Sequence, residues 1–399
     1  MSESPWLIAA LWVGLALLAS LISIRTAISV ALIEILVGAA AGNLIPWFGS
    51  LLGTPATLQT TPWINFLAGF GSILLTFLAG AEIEPDVLRK HWKPALAIGF
   101  VSFLMPFLAA MAAAYWLLHW GTAASMIAGT ALSTTSVAVV YAVMVETGLN
   151  KRDIGKLILA CCFVTDLGTV LALGVMFANY NWWLVLFLGV SAVVMPFAPR
   201  LTRRFLRRYE GQVSEPEIKL LLLLLFVLGG LAAKANSEAV LPAYILGLVV
   251  AGELRHHKET VYHIRVAVFA LLTPFYFLRA GALIQGGVIA QGAWVILLLL
   301  LVKVAAKFLG VYPTAKLFRM DHRISMYTTL LMSTGLTFGT ISAMFGLSRN
   351  LIDSSQYSTL VVVVIASAVV PTLIAQKWFR PQHELSVGRA SPPASLEKR

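Results

Sequence analysis

Asp166 is the only charged residue in an apolar run that extends from Leu159 to Leu171. A carboxylate inside a membrane segment is costly, and such residues usually belong to an ion or proton pathway. Asp166 follows Lys156 by ten residues, which is about 15 Å along a helix. If this run spans a membrane, Asp166 lies near its middle, where a carboxylate can be neutralised by a proton or by a cation, but not by both at once.

Lys307 offers a charge of opposite sign at a similar depth, because it precedes Lys316 by nine residues. Opposite charges at one depth on different helices are expected to face each other or a water-filled cavity. Lys303 lies one helical turn away on the same face and competes for this role. A purely structural ion pair is the alternative, although a buried pair is weak evidence for stability.

Two clusters of small and hydroxyl residues fall at the same expected depth. Such residues can be packing contacts between membrane helices. Because they occur in two separate spans, they favour interrupted helices whose free N–H and C=O groups line an ion site. The expected interruptions are Ser133, Thr134, Thr135 and Ser136 in one span and Ser333, Thr334 and Gly335 in the other.

The composition indicates the elements that must position these residues. Of 399 residues, 59% are hydrophobic and only 12% are charged, whereas soluble domains have about 25% charged residues. Apolar blocks of membrane-spanning length predict an all-α polytopic membrane protein with about 13 transmembrane helices. The predicted spans are 6–24, 27–45, 65–84, 93–118, 124–147, 154–178, 181–199, 217–233, 237–252, 264–284, 288–316, 325–346 and 356–376.

The loop charges predict an orientation. Arg279, Lys303 and Lys307 lie inside spans, and only Lys234 and Arg349 fall in one alternate set of loops. The other Lys and Arg residues lie in the opposite set and in the tail, which predicts an outside N-terminus and a cytoplasmic C-terminus. Because the basic residues sit in short loops between apolar blocks, nucleic acid is not an expected partner.

Other classes of function have little support in the sequence. Cys161 and Cys162 are adjacent inside a span and are expected to be small core residues, since no zinc-ligand spacing is present. The chain contains neither an HExxH nor a GxSxG motif, and Asp166 lacks a second carboxylate for acid–base work. An intramembrane enzyme is therefore not expected, and no cofactor is implied.

Several motifs in this order resemble the monovalent cation:proton antiporter-2 family, which shares the fold of NhaA-type sodium/proton antiporters. The similarity covers residues 6–376, and the motifs are Gly71–Glu82, Ser133–Ser136, Thr165-Asp166, Pro274–Phe277 with Gly281, and Lys307–Gly310. This resemblance implies an inverted repeat with two crossed discontinuous helices. It also implies an ion-transporting core (93–180 and 288–378) that moves like an elevator against a dimerisation scaffold (1–92 and 181–287), in a homodimer.

The resemblance further implies that Asp166 is the ion- and proton-binding carboxylate and that Lys307 is the family's basic residue. Electrogenic members of the family have two adjacent Asp residues, whereas this chain has Thr165-Asp166. With one carboxylate we expect one proton per cation and hence electroneutral exchange. If Lys307 also releases its proton, the ratio becomes two to one. Lys307 is expected to pair with Asp166 or to hydrogen-bond to Thr165.

The implied function is secondary antiport, in which a monovalent alkali cation is exchanged for protons across a bilayer. Na⁺ is the first expected cation, and the bacterial inner membrane is the expected location. The expected cation ligands are Asp166, Thr165, Thr134 and Ser133. K⁺/H⁺ antiport or K⁺ efflux, and a channel or sensor on the same fold, are the alternatives. Glu82 is expected in a cytoplasmic funnel, Arg279 near the outer interface or paired with an acid, and 379–399 in a disordered cytoplasmic tail.

Overall fold

The computed structural model describes residues 5–26, 28–51, 61–81, 92–147, 149, 152–177, 181–235 and 240–381. Regular structure in these ranges is entirely helical. The helices are α1 (Pro5–Thr26), α2 (Val30–Leu51), α3 (Pro62–Ala81), α4 (Trp92–Ala112), α5 (Thr122–Ser133), α6 (Val137–Thr147), α7 (Asp153–Met176), α8 (Trp182–Tyr209), α9 (Pro216–Lys234), α10 (Val240–Leu254), α11 (Lys258–Ala267), α12 (Thr273–Ala282), α13 (Gly286–Gln291), α14 (Ala293–Leu317), α15 (His322–Met332), α16 (Thr337–Ser348) and α17 (Ser354–Trp378).

The helices are long and apolar enough for a membrane protein. Ten of them, counting α11–α12 and α15–α16 as single spans, are of spanning length and composition within the described residues, and Val30–Pro46 and Val240–Leu254 are shorter apolar helices. The all-α polytopic prediction is therefore confirmed, whereas the number thirteen stays a prediction. One boundary is corrected, because the chain expected to span 288–316 divides at Gly292 into α13 and α14.

The core of the bundle is built around α4 and α14. Helix α4 packs against α5, α7 and α14, and α14 packs in turn against α15 and α17. The two expected interrupted spans, α5–α6 and α15–α16, are thus held beside the helix that carries Lys303 and Lys307. Cys161 and Cys162 of α7 are buried free thiols, as predicted.

A second set of helices is joined by glycine contacts. In the α2–α12 pair, Gly38 lies against the backbone of Leu278 and Gly281 against the backbone of Ile35. Gly80 and Gly247 make the equivalent contacts between α3 and α10. No side chain fits at these positions, because an added Cβ would collide with backbone atoms. Close backbone contact through small residues is typical of stable packing between membrane helices, so each pair is expected to move as one unit.

Two ends of the bundle are distinguished by charge. We name the basic face after the last turns of α8, α14 and α17, which carry Arg207, Arg208, Lys316 and Lys377. The far face is the opposite end, where α16 ends at Ser348 and α17 begins at Ser354. Residues 382–399 of the expected tail lie outside the described residues.

Candidate functional site

The first interruption lies between α5 and α6, at Thr134–Ser136. Helix α5 ends because hydroxyl groups compete for its carbonyls: Ser133 donates to Thr130 O (2.8 Å) and Thr134 donates to Ala131 O (2.9 Å). Thr134 then adopts an extended conformation (φ −63°, ψ 154°). The last turn of α5 therefore leaves carbonyl groups in the protein interior that need partners other than backbone N–H groups.

The second interruption, at Ser333–Leu336, has a similar local chemistry. Ser333 donates to Thr329 O (2.7 Å) and Thr334 donates to Leu331 O (2.7 Å). Helix α16 resumes at Thr337 after Leu336, whose backbone (φ −152°, ψ −77°) is not helical. All four residues of this interruption are buried.

The two interruptions contact each other directly. The Thr135 hydroxyl donates to the carbonyl of Met332, the last residue of α15 (2.9 Å). The backbone N–H of Ser136 donates to Thr334 Oγ1 (3.3 Å). These bonds satisfy groups that the helix ends leave open, so a movement of one interruption is expected to displace the other.

Lys307 crosslinks the first interruption to α4. Its Nζ donates to Ser133 O (2.9 Å), Thr135 Oγ1 (3.1 Å) and Ser102 Oγ (2.8 Å). An ammonium group has three donors, so this buried charge is fully satisfied at the carbonyl end of α5, where the helix dipole favours a cation. These partners correct the expectation that Lys307 pairs with Asp166 or Thr165.

Lys303 has no comparable environment, although it lies one turn away on α14. Its side chain is fully buried, and its Nζ has no hydrogen-bond partner. The amine lies where a side chain of Gly335 would be, in the second interruption, and Thr134 Oγ1 and Ser367 Oγ border the same space. The two lysines therefore differ in hydrogen bonding, although both are fully buried.

Asp166 lies at the wall of a cavity of about 230 Å³. Only 1% of the residue is exposed, and its buried Oδ1 has no hydrogen-bond partner. The other lining residues come from α3, α6, α11, the π-helical segment Val268–Leu272 that connects α11 to α12, and α16. They are Leu75, Leu78, Ala79, Val137, Tyr141, Arg265, Phe269, Thr337 and Phe338. Tyr141 is 51% and Phe269 40% exposed, so part of the cavity wall lies at the surface. This side is toward the basic face, because α11, which carries Arg265, begins next to His257, and His257 pairs with Glu210 at the end of α8.

The interrupted helices contribute their first residues to this cavity. Val137 begins α6 and Thr337 begins α16, and both residues line the wall that also contains Asp166. The N-terminus of a helix carries a partial positive charge that favours a nearby anion. The first residues of both interrupted helices share the cavity wall with the carboxylate of Asp166.

A family model described as the transmembrane sodium/hydrogen exchanger matches residues 13–380. The chain belongs to this family. Its members are secondary transporters rather than enzymes, which confirms the predicted class and the resemblance to monovalent cation:proton antiporters.

Individual relatives agree in length and fold. The probable Na⁺/H⁺ antiporter 3 of Methanocaldococcus jannaschii is 24% identical over 336 residues, which is 81% of this chain and 85% of the relative. The Na⁺/H⁺ antiporter NhaS4 of Synechocystis is 24% identical over 352 residues (82% and 85%). The solved structure of the sodium proton antiporter MjNhaP1 from Methanocaldococcus jannaschii at pH 8 superposes with a TM-score of 0.68, at 15% identity, covering 93% and 97% of the two chains.

The remaining expected site residues occupy different places. The Thr165 hydroxyl donates to Cys161 O (3.0 Å) and Gly99 O (3.2 Å), so it ties α7 to α4. Ser133 and Thr134 are buried on the side of the two lysines and do not line the cavity of Asp166. Glu82 lies outside the described residues.

Arg279 is turned toward the core instead of toward lipid. Its Nη1 contacts Met344 Sδ (3.6 Å), and its Nε is buried without a hydrogen-bond partner. No acidic residue in the described part of the chain forms an ion pair with it. The expected pair with an acid is therefore not formed among the described residues, and Arg279 lies in the last turn of α12, near the far face.

Three residues of the site were missed in the sequence. Ser102 is a hydroxyl residue in the apolar helix α4 and bonds to Lys307. A lone hydroxyl in an apolar helix is the sequence feature that could have indicated a partner for a buried charge. Tyr141 and Arg265 line the cavity, but no local pattern in the sequence marks them. Their role follows only from the packing of α6 and α11 around α7.

Proposed function

We propose that the chain exchanges a monovalent cation for a proton at Asp166. The observation that carries this proposal is a buried carboxylate, with an oxygen that lacks a hydrogen-bond partner, at the wall of a cavity that opens toward the basic face. A proton or a cation can neutralise this carboxylate, and the two therefore compete for it. Carboxylate and other hard oxygen ligands suit alkali ions better than soft metals.

The relatives support Na⁺ as the first cation to test, because the names of two of them specify Na⁺/H⁺ antiport. K⁺/H⁺ antiport is the second candidate within transport. We place the basic face in the cytoplasm, in accordance with the distribution of Lys and Arg. The N-terminus is then outside, the cavity accepts cytoplasmic ions, and a bacterial inner membrane and a homodimer remain part of the proposal.

Electroneutral exchange is proposed because Asp166 is the one carboxylate among the described residues that line the cavity. Lys307 is held by three oxygen acceptors, at the end of α5, in the first interruption and on α4, and it is not among the residues that line the cavity of Asp166. Electrogenic members of the antiporter family that this chain resembles have a second carboxylate at the position of Thr165. The hydroxyl of Thr165 is instead bonded to backbone carbonyls. One proton would then be exchanged for each cation.

Proteoliposomes with a trapped pH dye test the proposal. Adding Na⁺, Li⁺ or K⁺ to wild-type vesicles with an imposed pH gradient is expected to dissipate the gradient, whereas choline is not. Asp166→Asn removes the exchangeable proton and is expected to abolish the response. The matched control is Asp353→Asn, because Asn also caps helices well and Asp353 caps α17 far from the cavity.

Retained exchange in Asp166→Asn would refute the proposed site. Current measurements on the same protein adsorbed to a supported membrane address the electroneutral reading, since one-for-one exchange moves no net charge. A transient current on cation addition contradicts that reading. A steady current without coupled proton movement would support a channel instead.

A further inference from the structure

The cavity described above reaches Asp166 from the side of the basic face, and at the far face α12 contacts α16 and α17. Helix α12 is joined to α2 through Gly38 and Gly281, whereas α16 follows the second interruption directly and α17 packs against α14 and α16. A contact from α12 to α16 or α17 therefore crosses the boundary between the two sets of helices. Such contacts must break if the core turns Asp166 toward the far face.

We propose that Tyr357 and Ser358 form a latch that holds the far face shut, and that Arg279 opposes this latch. The proposal rests on the proposed function, because it concerns the step in which the exchanger changes sides. Alternating access requires two conformations of similar free energy, each of which a few contacts can favour. The latch residues would set the balance between these conformations.

The closing contacts are two hydrogen bonds between buried or half-buried groups. Tyr357, which is fully buried, donates its hydroxyl to Ala280 O near the end of α12 (2.7 Å). The N–H of Gln285, just beyond α12, donates to Ser358 Oγ (2.9 Å). Both hydrogen bonds join the first turns of α17 to the end of α12 or the residues just after it, at the far face. In the proposed mechanism they form only while this face is shut.

Arg279 acts in the opposite direction. The guanidinium of this half-buried residue contacts the thioether of Met344 on α16, and its Nε has no hydrogen-bond partner. A charged group removed from water without a good partner is unfavourable, and opening of the far face would return it to water. The closed arrangement is thus stabilised by Tyr357 and Ser358 and destabilised by Arg279.

This arrangement predicts opposite effects of two substitutions. Tyr357→Phe removes one hydroxyl without changing the ring and is expected to shift the population toward the far-open state by up to about tenfold, the range of a single hydrogen bond. Arg279→Met replaces the poorly paired charge by an apolar chain of similar length and is expected to shift the population toward the basic-face-open state.

Two cysteine reporters measure the shift in purified protein in nanodiscs. Ala79→Cys lines the cavity, and Ile284→Cys is buried beside the latch at the far face. The native Cys161 and Cys162 are fully buried, which keeps the background low. Tyr357→Phe is expected to slow maleimide labelling at the first reporter and to accelerate it at the second, and Arg279→Met is expected to do the reverse.

Tyr312→Phe is the matched control, because it also loses a hydroxyl bond, to His322 (2.8 Å), but lies on α14 away from the far face. Two results in Tyr357→Phe would contradict the proposed latch. One is an unchanged rate of maleimide labelling, and the other is faster labelling at both reporters, as general destabilisation of the fold would produce. These outcomes leave the proposed function intact if wild-type vesicles still exchange cations for protons. Absence of exchange in wild type overturns the function whatever the labelling shows.

Discussion

The two helix interruptions have similar sequences but hold very different lysines. At the first interruption, Lys307 fills all three donor positions with oxygen acceptors. At the second, Lys303 lies against Gly335 and finds no acceptor. The difference indicates that a buried lysine is bound where carbonyl and hydroxyl oxygens face its ammonium group, and that the presence of Ser, Thr and Gly residues nearby is not sufficient.

The orientation of the second interruption explains why it does not serve Lys303. Its available groups are already used by the first interruption, since Met332 O accepts from Thr135 and Thr334 Oγ1 accepts from Ser136. The first interruption therefore binds a lysine and the second interruption at the same time. The main role of the second interruption is therefore to support the first interruption.

The largest expected effect distinguishes the two lysines. Lys307→Met leaves the three acceptors without their donor, and because hydrogen bonds to charged groups contribute about 1.5–3 kcal/mol each, we expect unfolding in detergent to become easier by about 3 kcal/mol or more. Lys303→Met, the matched variant, removes no hydrogen bond and changes the volume little, so its effect should stay within about 1.5 kcal/mol. Thermal unfolding of both variants is the measurement, and equal losses would contradict the comparison.

A smaller effect is expected at the contact between Lys303 and the second interruption. An added Cβ at Gly335 would collide with Lys303 Nζ and approach Thr134 Oγ1 (3.0 Å) and Ser367 Oγ (3.3 Å). Gly335→Ala should therefore destabilise the protein by about 1–3 kcal/mol. Gly230→Ala is the control, since no atom lies within 4 Å of its added Cβ and Ala is the better helix former.

A double-mutant cycle locates the cause of this loss. If Lys303 creates the crowding, Gly335→Ala should cost less in a Lys303→Ala background, and the two changes should show a measurable coupling free energy. Strict additivity would mean that Thr134 or Ser367 determines the cost instead.

The smallest expected effect concerns the start of the second interrupted helix. Asp321 caps α15 by accepting from the N–H of Arg323 (3.0 Å), whereas the N-cap residue of α5 is Gly121, which provides no side-chain cap. Bonds from the backbone N–H groups of Arg323 and His322 hold the pKa of Asp321 below its usual value. A lowered pKa means that the carboxylate stabilises the fold above the unfolded pKa of about 3.9 and that this stabilisation is lost as the pH falls through the lowered value.

Asp321→Asn should keep a cap but remove this part of the acid dependence of unfolding. The measurement is the melting temperature of wild type and variant between neutral pH and pH 3. Parallel curves for the two proteins would show that the charge of Asp321 does not contribute.

The sequence supported the membrane fold and the main site residues because these depend on local signals. Asp166, Lys307 and Lys303 are charges in apolar runs, and the hydroxyl clusters at 133–136 and 333–335 compete with helical hydrogen bonds wherever they occur. The partners of Lys307 were not predictable in the same way. Ser102 is distant in the chain, and its contact depends on how α4 packs against α14.

The cavity illustrates the same limit. Its wall combines residues of α3, α6, α7, α11 and α16, which no spacing in the sequence connects. Thr165 and Asp166 are neighbours in the chain, yet a helix turns adjacent side chains to different sides. One therefore bonds to the backbone of α4, and the other faces the cavity.

The central claim is that Asp166 binds a proton and a cation in competition, and proton release measures this directly. Purified protein in detergent, in a weakly buffered solution with a pH dye, is titrated with NaCl and with choline chloride. We expect Na⁺ to release about one proton per chain, as competition at one carboxylate requires, with no release from Asp166→Asn and unchanged release from Lys303→Met. Equal release from Asp166→Asn and wild type would contradict the account.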